Sequence, residues 1–395
     1  MQYRGLAAVI VKALIMTTTR HSLQHAKRFV VKIGSALLVD STTGLIRSGW
    51  LRSLVSDLAT ARQNGQEVII VSSGAIALGR GLLKLPAGKL KLEEKQAAAA
   101  AGQIMLAQHY QEAFAKHDIP AAQLLITTAD TEDRRRHLNA RATLAALLDL
   151  GAIPVINEND TIATSEIRFG DNDRLAARVA QMCSADTLVL LSDVDGLYSH
   201  DPRVNRDAEY LEHIPRITPQ IEAMAGIAQT DVGTGGMTTK VAAAKIATAA
   251  GCHVLIGAGE HQNPMAQFMG DDSGQEHRFS WFEAVAEPST ARKRWLIGHV
   301  DVAGQLAIDA GAVKALKQGR SLLPAGVTRV IGRFERGDMV AILSPDGVEV
   351  ARGLTAYSAK DAKRIAGHQS REIEGILGFA GREEMIHRDN LVMSG

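Results

Sequence analysis

The chain predicts an α/β fold, a doubly wound, mostly parallel sheet sandwiched by helices, followed by a small β-rich domain. Three observations carry this. Short, continuous apolar runs recur, among them Phe29-Val30-Val31 and Thr187-Leu188-Val189-Leu190-Leu191. Such runs mark strands covered on both faces. Between them lie helical segments, and strands alternating with helices imply parallel crossovers. After about residue 258 the pattern gives way to short β-like segments punctuated by glycine turns.

Length and composition set the frame. A chain of 395 residues predicts two domains. The expected limits are an extension at 1–27, a main α/β domain at 28–285, a linker at 286–296 and the β-rich domain at 297–395. Lys+Arg total 44 against 43 Asp+Glu, so no global field points to nucleic acid or an anionic membrane. From 291 to 395 there are 16 Lys/Arg against 12 Asp/Glu, a mild excess whose sign permits RNA contact. Two distant cysteines in apolar surroundings, Cys183 and Cys252, argue against a disulfide framework and for a reducing, cytoplasmic setting. The apolar stretch Leu6–Met16 contains Lys12 and is too short to span a bilayer. It is read as an extension rather than a signal peptide, with Met16 as a candidate start.

Taken in order, the first strand runs from Phe29 into Gly34-Ser35. Lys32 near its end is costly to bury alone, so it either reaches a ligand or snorkels to water. A helix is expected over 48–64, stopped by Gly65, then a strand over 67–71 that ends in Ser72-Ser73-Gly74-Ala75. Turns of this kind present backbone N–H groups to an anion. An alanine-rich helix follows at 92–116, and a strand at 123–127. Arg134-Arg135-Arg136 reads as a solvated face leading into a helix at 139–150.

The strand at 153–156 delivers Asn157-Glu158-Asn159-Asp160, with a hairpin expected over 161–169. Gly170-Asp171-Asn172-Asp173-Arg174 then opens another helix. In open α/β sheets ligands sit at the carboxyl ends of strands and at helix N-termini. A cluster this acidic suits an ammonium group, a metal ion or a lysine held in place. The strand at 187–191 ends in Ser192-Asp193-Val194-Asp195-Gly196. Gly233-Thr234-Gly235-Gly236-Met237-Thr238-Thr239-Lys240 opens a helix to Ala250, and the strand 252–256 follows. Residues 262–278 are irregular. Beyond Trp295, turns are expected at Gly304, Gly326, Gly337 and Asp346-Gly347.

Lys32 and Lys240, both on glycine-rich turns, are what charge stabilisation of a transferring phosphoryl group requires. Asp173 is placed to hold one or both of them. There is no Walker A pattern, and the adjacent Gly235-Gly236 breaks dinucleotide spacing. His387-Arg388-Asp389 matches a protein-kinase triplet with none of its companions, and Asp171-Asn172-Asp173 starts like a calcium loop that Ala176 spoils.

Together, Val31–Ser35, Ser72–Ile76, Val155–Asp160, Phe169–Asp173 and Gly233–Lys240 resemble the glutamate 5-kinase family. Ser321–Gly326 and Gly332–Asp338 look like the PUA domain that follows the kinase in many members. The resemblance runs from about residue 29 to the end and implies the amino acid kinase fold. The reaction it implies is ATP-dependent phosphorylation of the L-glutamate γ-carboxylate, the first step of proline biosynthesis, with proline as inhibitor. Its implied catalytic residues are Lys32, Lys240 and Asp173. Glutamate would be held by Ser73, Gly74, Asp160, Asp171 and Asn172. The nucleotide would lie by Lys32, Gly34, Ser192, Asp193 and the loop Thr234, Gly235, Gly236, Met237, Thr238, Thr239 and Lys240. Mg²⁺ would bridge phosphate oxygens with no direct protein ligand. A homo-oligomer, dimer or tetramer, and the downstream glutamyl phosphate reductase are implied partners.

Ser35 stands where many members carry threonine, which keeps the hydroxyl. Two rival readings are a kinase of the same fold acting on aspartate, N-acetylglutamate, carbamate or UMP, and an RNA-binding or RNA-modifying protein using the PUA-like tail. The tail and the Phe169–Asp173 motif favour glutamate over the first. Balanced charge weighs against the second.

Overall fold

The computed structural model describes residues 22–86, 88–163, 171–227, 236–269, 278–285 and 302–394. The chain divides into two compact units, residues 1–131 with 141–288, and residues 132–140 with 289–395. No described helix is long and apolar enough to cross a membrane.

The first unit is built on an eight-stranded sheet. Its strands are β1 (Arg28–Ile33), β2 (Glu67–Ser72), β3 (Ala121–Ile126), β4 (Ile153–Glu158), β5 (Thr187–Ser192), β8 (His213–Ile214), β9 (His253–Ala258) and β10 (Phe279–Phe282), in the order β3-β4-β2-β1-β5-β9-β10-β8. A two-residue pair, β6 (Leu197–Tyr198) and β7 (Tyr210–Leu211), stands apart. Strands β3, β4, β2, β1, β5 and β9 run parallel, and only β10 meets β9 antiparallel. The expected strand set is found, with β3 starting at Ala121. Strand β10 goes beyond that set: four residues are too few to show a period, and its burial through Trp281 and Phe282 is visible only in three dimensions.

Successive crossovers place β2, β4 and β3 on one side of β1, and β5 and β9 on the other. The order therefore reverses between β1 and β5, where such sheets open a crevice. Register levels the strand ends there. Ile33 pairs with Ser72, Val71 with Ile156, and Lys32 with Leu190.

Helix Ser48–Gln63 buries Leu51, Leu54, Val55 and Leu58 against the sheet, the one-sided stripe that 3.6-residue periodicity requires. Helix Ala75–Leu82 lies so close to helix Leu92–Ala115 that a Cβ on Gly79 would strike the Ala98 carbonyl. One on Gly102 would strike the Ala75 carbonyl. Helix Arg134–Asp149 begins earlier than the expected Asn139, because the Asp133 carboxylate accepts from Arg136 N at 2.9 Å and caps it. Residues 22–27, read from sequence as the end of an extension, pack into the core. Leu23 is fully buried, and Gln66 Nε2 donates to the Leu23 and Ala26 carbonyls at 2.9 and 2.7 Å.

The second unit holds a five-stranded sheet, β12-β11-β13-β14-β15, from Gly304–Ile308 (β11), Val327–Gly332 (β12), Met339–Leu343 (β13), Glu349–Leu354 (β14) and Leu391–Met393 (β15). Leu306, Ile308, Val340 and Ile342 form its core with Phe334 and Tyr357. Gly337 and Gly347 make turns with φ of +91° and +78°, as expected. Gly304 does not turn. It lies in β11 because the Phe334 ring fills the space a Cβ would need. His387-Arg388-Asp389 forms a local turn, with Asp389 N donating to His387 Nδ1 at 3.2 Å. The expected hairpin falls mostly on residues outside those described, as do Phe169, Gly170, Gly233, Thr234, Gly235 and the linker.

Candidate functional site

At the strand ends between β1 and β5 a cavity of about 1190 Å³ opens, its described lining residues all in the first unit. Lys32 comes to it on β1, Ser73 and Gly74 on the turn after β2, and Asp160 after β4. Asn172 arrives on the first turn of helix Asp171–Cys183, Ser192 and Asp193 at the end of β5, and Gly236, Met237 and Lys240 on the start of helix Met237–Ala249.

Lys32 Nζ lies 2.6 Å from Asp173 Oδ1, and Lys240 Nζ lies 3.9 Å from Asp173 Oδ2. Thr239 Oγ1 donates to that second oxygen at 2.8 Å. All three charges are buried: Asp173 is fully enclosed, Lys32 is 7% exposed and Lys240 is 6% exposed. One carboxylate against two ammonium groups leaves a local charge of +1, so the pocket rim is short of negative charge. Burial alone pushes the Asp173 carboxyl up, but Lys32 and Lys240 together hold it below the usual carboxylate range. Burial pulls the Lys240 ammonium below its ordinary value, with Asp173 opposing and Lys32 reinforcing that fall.

Beside them runs a network of amides and hydroxyls. Asn172 Nδ2 donates to Ser73 Oγ at 2.6 Å, to Ser72 O at 3.1 Å and to Asn157 Oδ1 at 3.2 Å. Ser72 Oγ donates to Ser73 O at 3.1 Å, so the Tyr110 hydroxyl, 2.9 Å away, is the donor to Ser72 Oγ. Complete burial pushes the Tyr110 phenol well up, keeping that proton in place. Gly74 adopts φ +108°, and a Cβ there would press on Val39 Cγ2 at 3.2 Å. A left-handed residue lets the chain turn from β2 into its helix with Ser73 facing the cavity.

The structure brings most of the expected residues to one cavity: Lys32, Gly34, Ser73, Gly74, Asp160, Asn172, Ser192, Asp193, Gly236, Met237 and Lys240. Asp173 sits behind the lysines as their partner, with Thr239 donating to it. Thr238 is turned to the protein, its hydroxyl donating to Ala225 O at 3.0 Å. Asp171 opens its helix.

Sequence reasoning passed over others. Asn157 lines the cavity from within a quoted motif, its amide on an otherwise apolar strand being the available signal. Arg80, Lys84, Lys89 and Lys95 also line it, and nothing in their spacing marked them. Lys84 does carry a left-handed backbone, φ +52°, which no sequence pattern disclosed.

The family model described as the amino acid kinase family matches residues 27–258, and the PUA domain model matches residues 304–377. Among curated proteins, the chain is 57% identical over 380 residues to the glutamate 5-kinase of Agrobacterium fabrum (strain C58), covering 96% of each. It is 57% identical over 373 residues to the glutamate 5-kinase of Paramagnetospirillum magneticum, covering 94% of this chain and 99% of that one. Among solved structures, an isopentenyl phosphate kinase substrate complex is 18% identical with a TM-score of 0.45, over 65% of this chain and 100% of that one.

Proposed function

The chain belongs to the amino acid kinase family, and from that premise we propose that its cavity joins ATP to L-glutamate, forming glutamyl 5-phosphate and ADP. The observation that carries this is the pair of buried ammonium groups on one carboxylate, in the same cavity as a network of amides and hydroxyls. Its relatives over nearly the whole chain are glutamate 5-kinases.

In this reading a glutamate γ-carboxylate oxygen attacks the terminal phosphorus of ATP. The P–O bond to ADP breaks, and no proton is transferred. A carboxylate is already the nucleophile, so no general base is required. The difficulty is to bring two anions together, and positioned cations with oriented dipoles meet it. Lys32 and Lys240 take the charge on the phosphates, while Asp173 fixes their spacing. Ser73, Asp160 and Asn172 hold glutamate, and Ser192 and Asp193 lie by the nucleotide with Gly236 and Met237.

Mg²⁺ fits here as an ion carried on nucleotide phosphates. Among the described residues no three His, Cys, Asp or Glu form a cluster, and Asp173 is already engaged by two lysines and Thr239. When bound, it would neutralise phosphate charge. Proline shares the α-carboxylate and an ammonium with glutamate, so it is expected to compete at the Ser73–Asn172 wall, and added glutamate should relieve its inhibition.

ATP-dependent hydroxamate formation over a panel of carboxylic acids tests the reading. Glutamate is expected to be the preferred acceptor. An inactive glutamate beside an active aspartate or N-acetylglutamate would overturn it.

A further inference from the structure

We propose that Gln103, which lies outside the cavity wall, is a positioning residue that holds the Asn157 amide in place and, through it, steadies Asn172 for the ligand. The assignment deepens the function proposed above and rests on Asn172 binding the amino-acid substrate.

The polarity of the amide chain follows from two backbone groups that cannot change role. Ser72 C=O only accepts, so the Asn172 atom 3.1 Å from it is the donor Nδ2. Glu158 N–H only donates, so the Asn157 atom 2.9 Å from it is the acceptor Oδ1. That oxygen also receives Asn172 Nδ2 at 3.2 Å. Asn157 is then left with Nδ2 on its other side, and Gln103 presents Oε1 to it at 2.7 Å. The two backbone groups fix both asparagine amides, and the Asn157 assignment fixes that of Gln103, which removes the ambiguity that amide groups usually carry.

Two consequences reach the cavity. Asn172 lines it with Nδ2 turned into the wall, so the atom it offers a ligand is Oδ1, an acceptor. Ser73 Oγ accepts from Asn172 at 2.6 Å, so its own proton is left for the ligand. The wall therefore presents an acceptor beside a donor, which suits an α-ammonium next to a carboxylate. A ligand lacking the ammonium leaves Asn172 Oδ1 unmet, and such mismatches discriminate strongly.

Gln103 reaches Asn157 because of its neighbour. Gly102 lets helix Leu92–Ala115 sit against the backbone of helix Ala75–Leu82, and Gln103 is the next residue along. Asn157 is 2% exposed, so losing Gln103 Oε1 leaves its Nδ2 largely buried without that acceptor. The amide would then relax, and with it the hold on Asn172.

The test compares Gln103→Met, which keeps length but removes the acceptor, with Gln103→Glu, which restores one. Steady-state kinetics on the full chain would be measured for ATP, for glutamate and for glutarate, its deaminated analogue. Gln103→Met is expected to raise KM for glutamate by roughly 10-fold and to narrow the preference for glutamate over glutarate by a similar factor, the scale of one unsatisfied buried amide. KM for ATP should stay near wild type, while the melting temperature should fall only by the few degrees that one unsatisfied buried amide costs. Gln103→Glu should return KM for glutamate to within about 3-fold of wild type, since the acceptor is back. An unchanged glutamate KM in Gln103→Met overturns the proposal. So does a parallel rise in both KM values, or a Gln103→Glu variant as impaired as Gln103→Met. If the wild type prefers another amino acid in the panel, that acid and its deaminated analogue replace the pair, so failure of the substrate assignment reads separately.

Discussion

Asp173 serves two ammonium groups at once, and that sharing sets what its neighbours tolerate. On the proposed reading, Lys240→Ala removes one of two cations meeting the phosphates and should lower kcat by ~100-fold or more, the scale of one lost transition-state contact. Asp173→Asn should cost a similar factor. It should also destabilise the fold by about 3–5 kcal/mol, because Lys32 and Lys240 would remain buried without a counter-charge. A melting curve separates the two effects: loss of stability with unchanged turnover would make Asp173 purely structural. The Lys240 ammonium is held below its ordinary 10.5, chiefly by burial. The role proposed for it needs the charged form, so kcat is expected to fall on the alkaline side at a pH below 10.5. A pH profile of Lys240→Arg, whose guanidinium stays charged, should lose that limb. For Asp173 the sign is opposite: its depressed value stabilises the fold above the usual carboxylate range, and that contribution is lost as pH falls through the folded value.

Among the elements, the most demanding contact is between helices Ala75–Leu82 and Leu92–Ala115, where glycine meets backbone. Gly79→Ala drives a methyl into the Ala98 carbonyl and should destabilise by about 1–3 kcal/mol or more, read by urea unfolding. Gly74→Ala acts differently, forcing a side chain into φ +108°. It should cost about 1–3 kcal/mol and raise KM for glutamate by displacing Ser73. The long apolar runs declare their strands in the bare sequence, because a strand buried on both faces has almost no other way to read. Strand β10 and the Asp133 cap stay hidden there for opposite reasons. One is too short for a period, and the other is a single carboxylate whose hydrogen bond exists only once the helix turns. Gly79 and Gly102 are equally silent, since close approach belongs to two helices and not to either.

At the scale of the molecule, every described residue lining the cavity lies in the first unit. A chain ending at residue 288 is therefore expected to keep turnover within about 10-fold of full length, because domains with their own core fold and act as units. Loss of all activity in a folded truncation would assign the second unit a part in the chemistry. The motifs naming the site are legible because each sits at a strand end or helix start, where glycine and polar residues interrupt an apolar run. Their convergence comes from strand order and register, which a linear text does not contain. Gln103 shows the limit: a half-buried amide in an alanine-rich helix gains meaning only from the asparagine it meets.

The cavity is one continuous hollow holding both the lysine end and the amide wall. Donor and acceptor must thus be resident together, with the phosphoryl group passing directly between them. Initial-velocity lines for the two substrates should intersect rather than run parallel, and no phosphorylated form of the protein should accumulate with ATP alone.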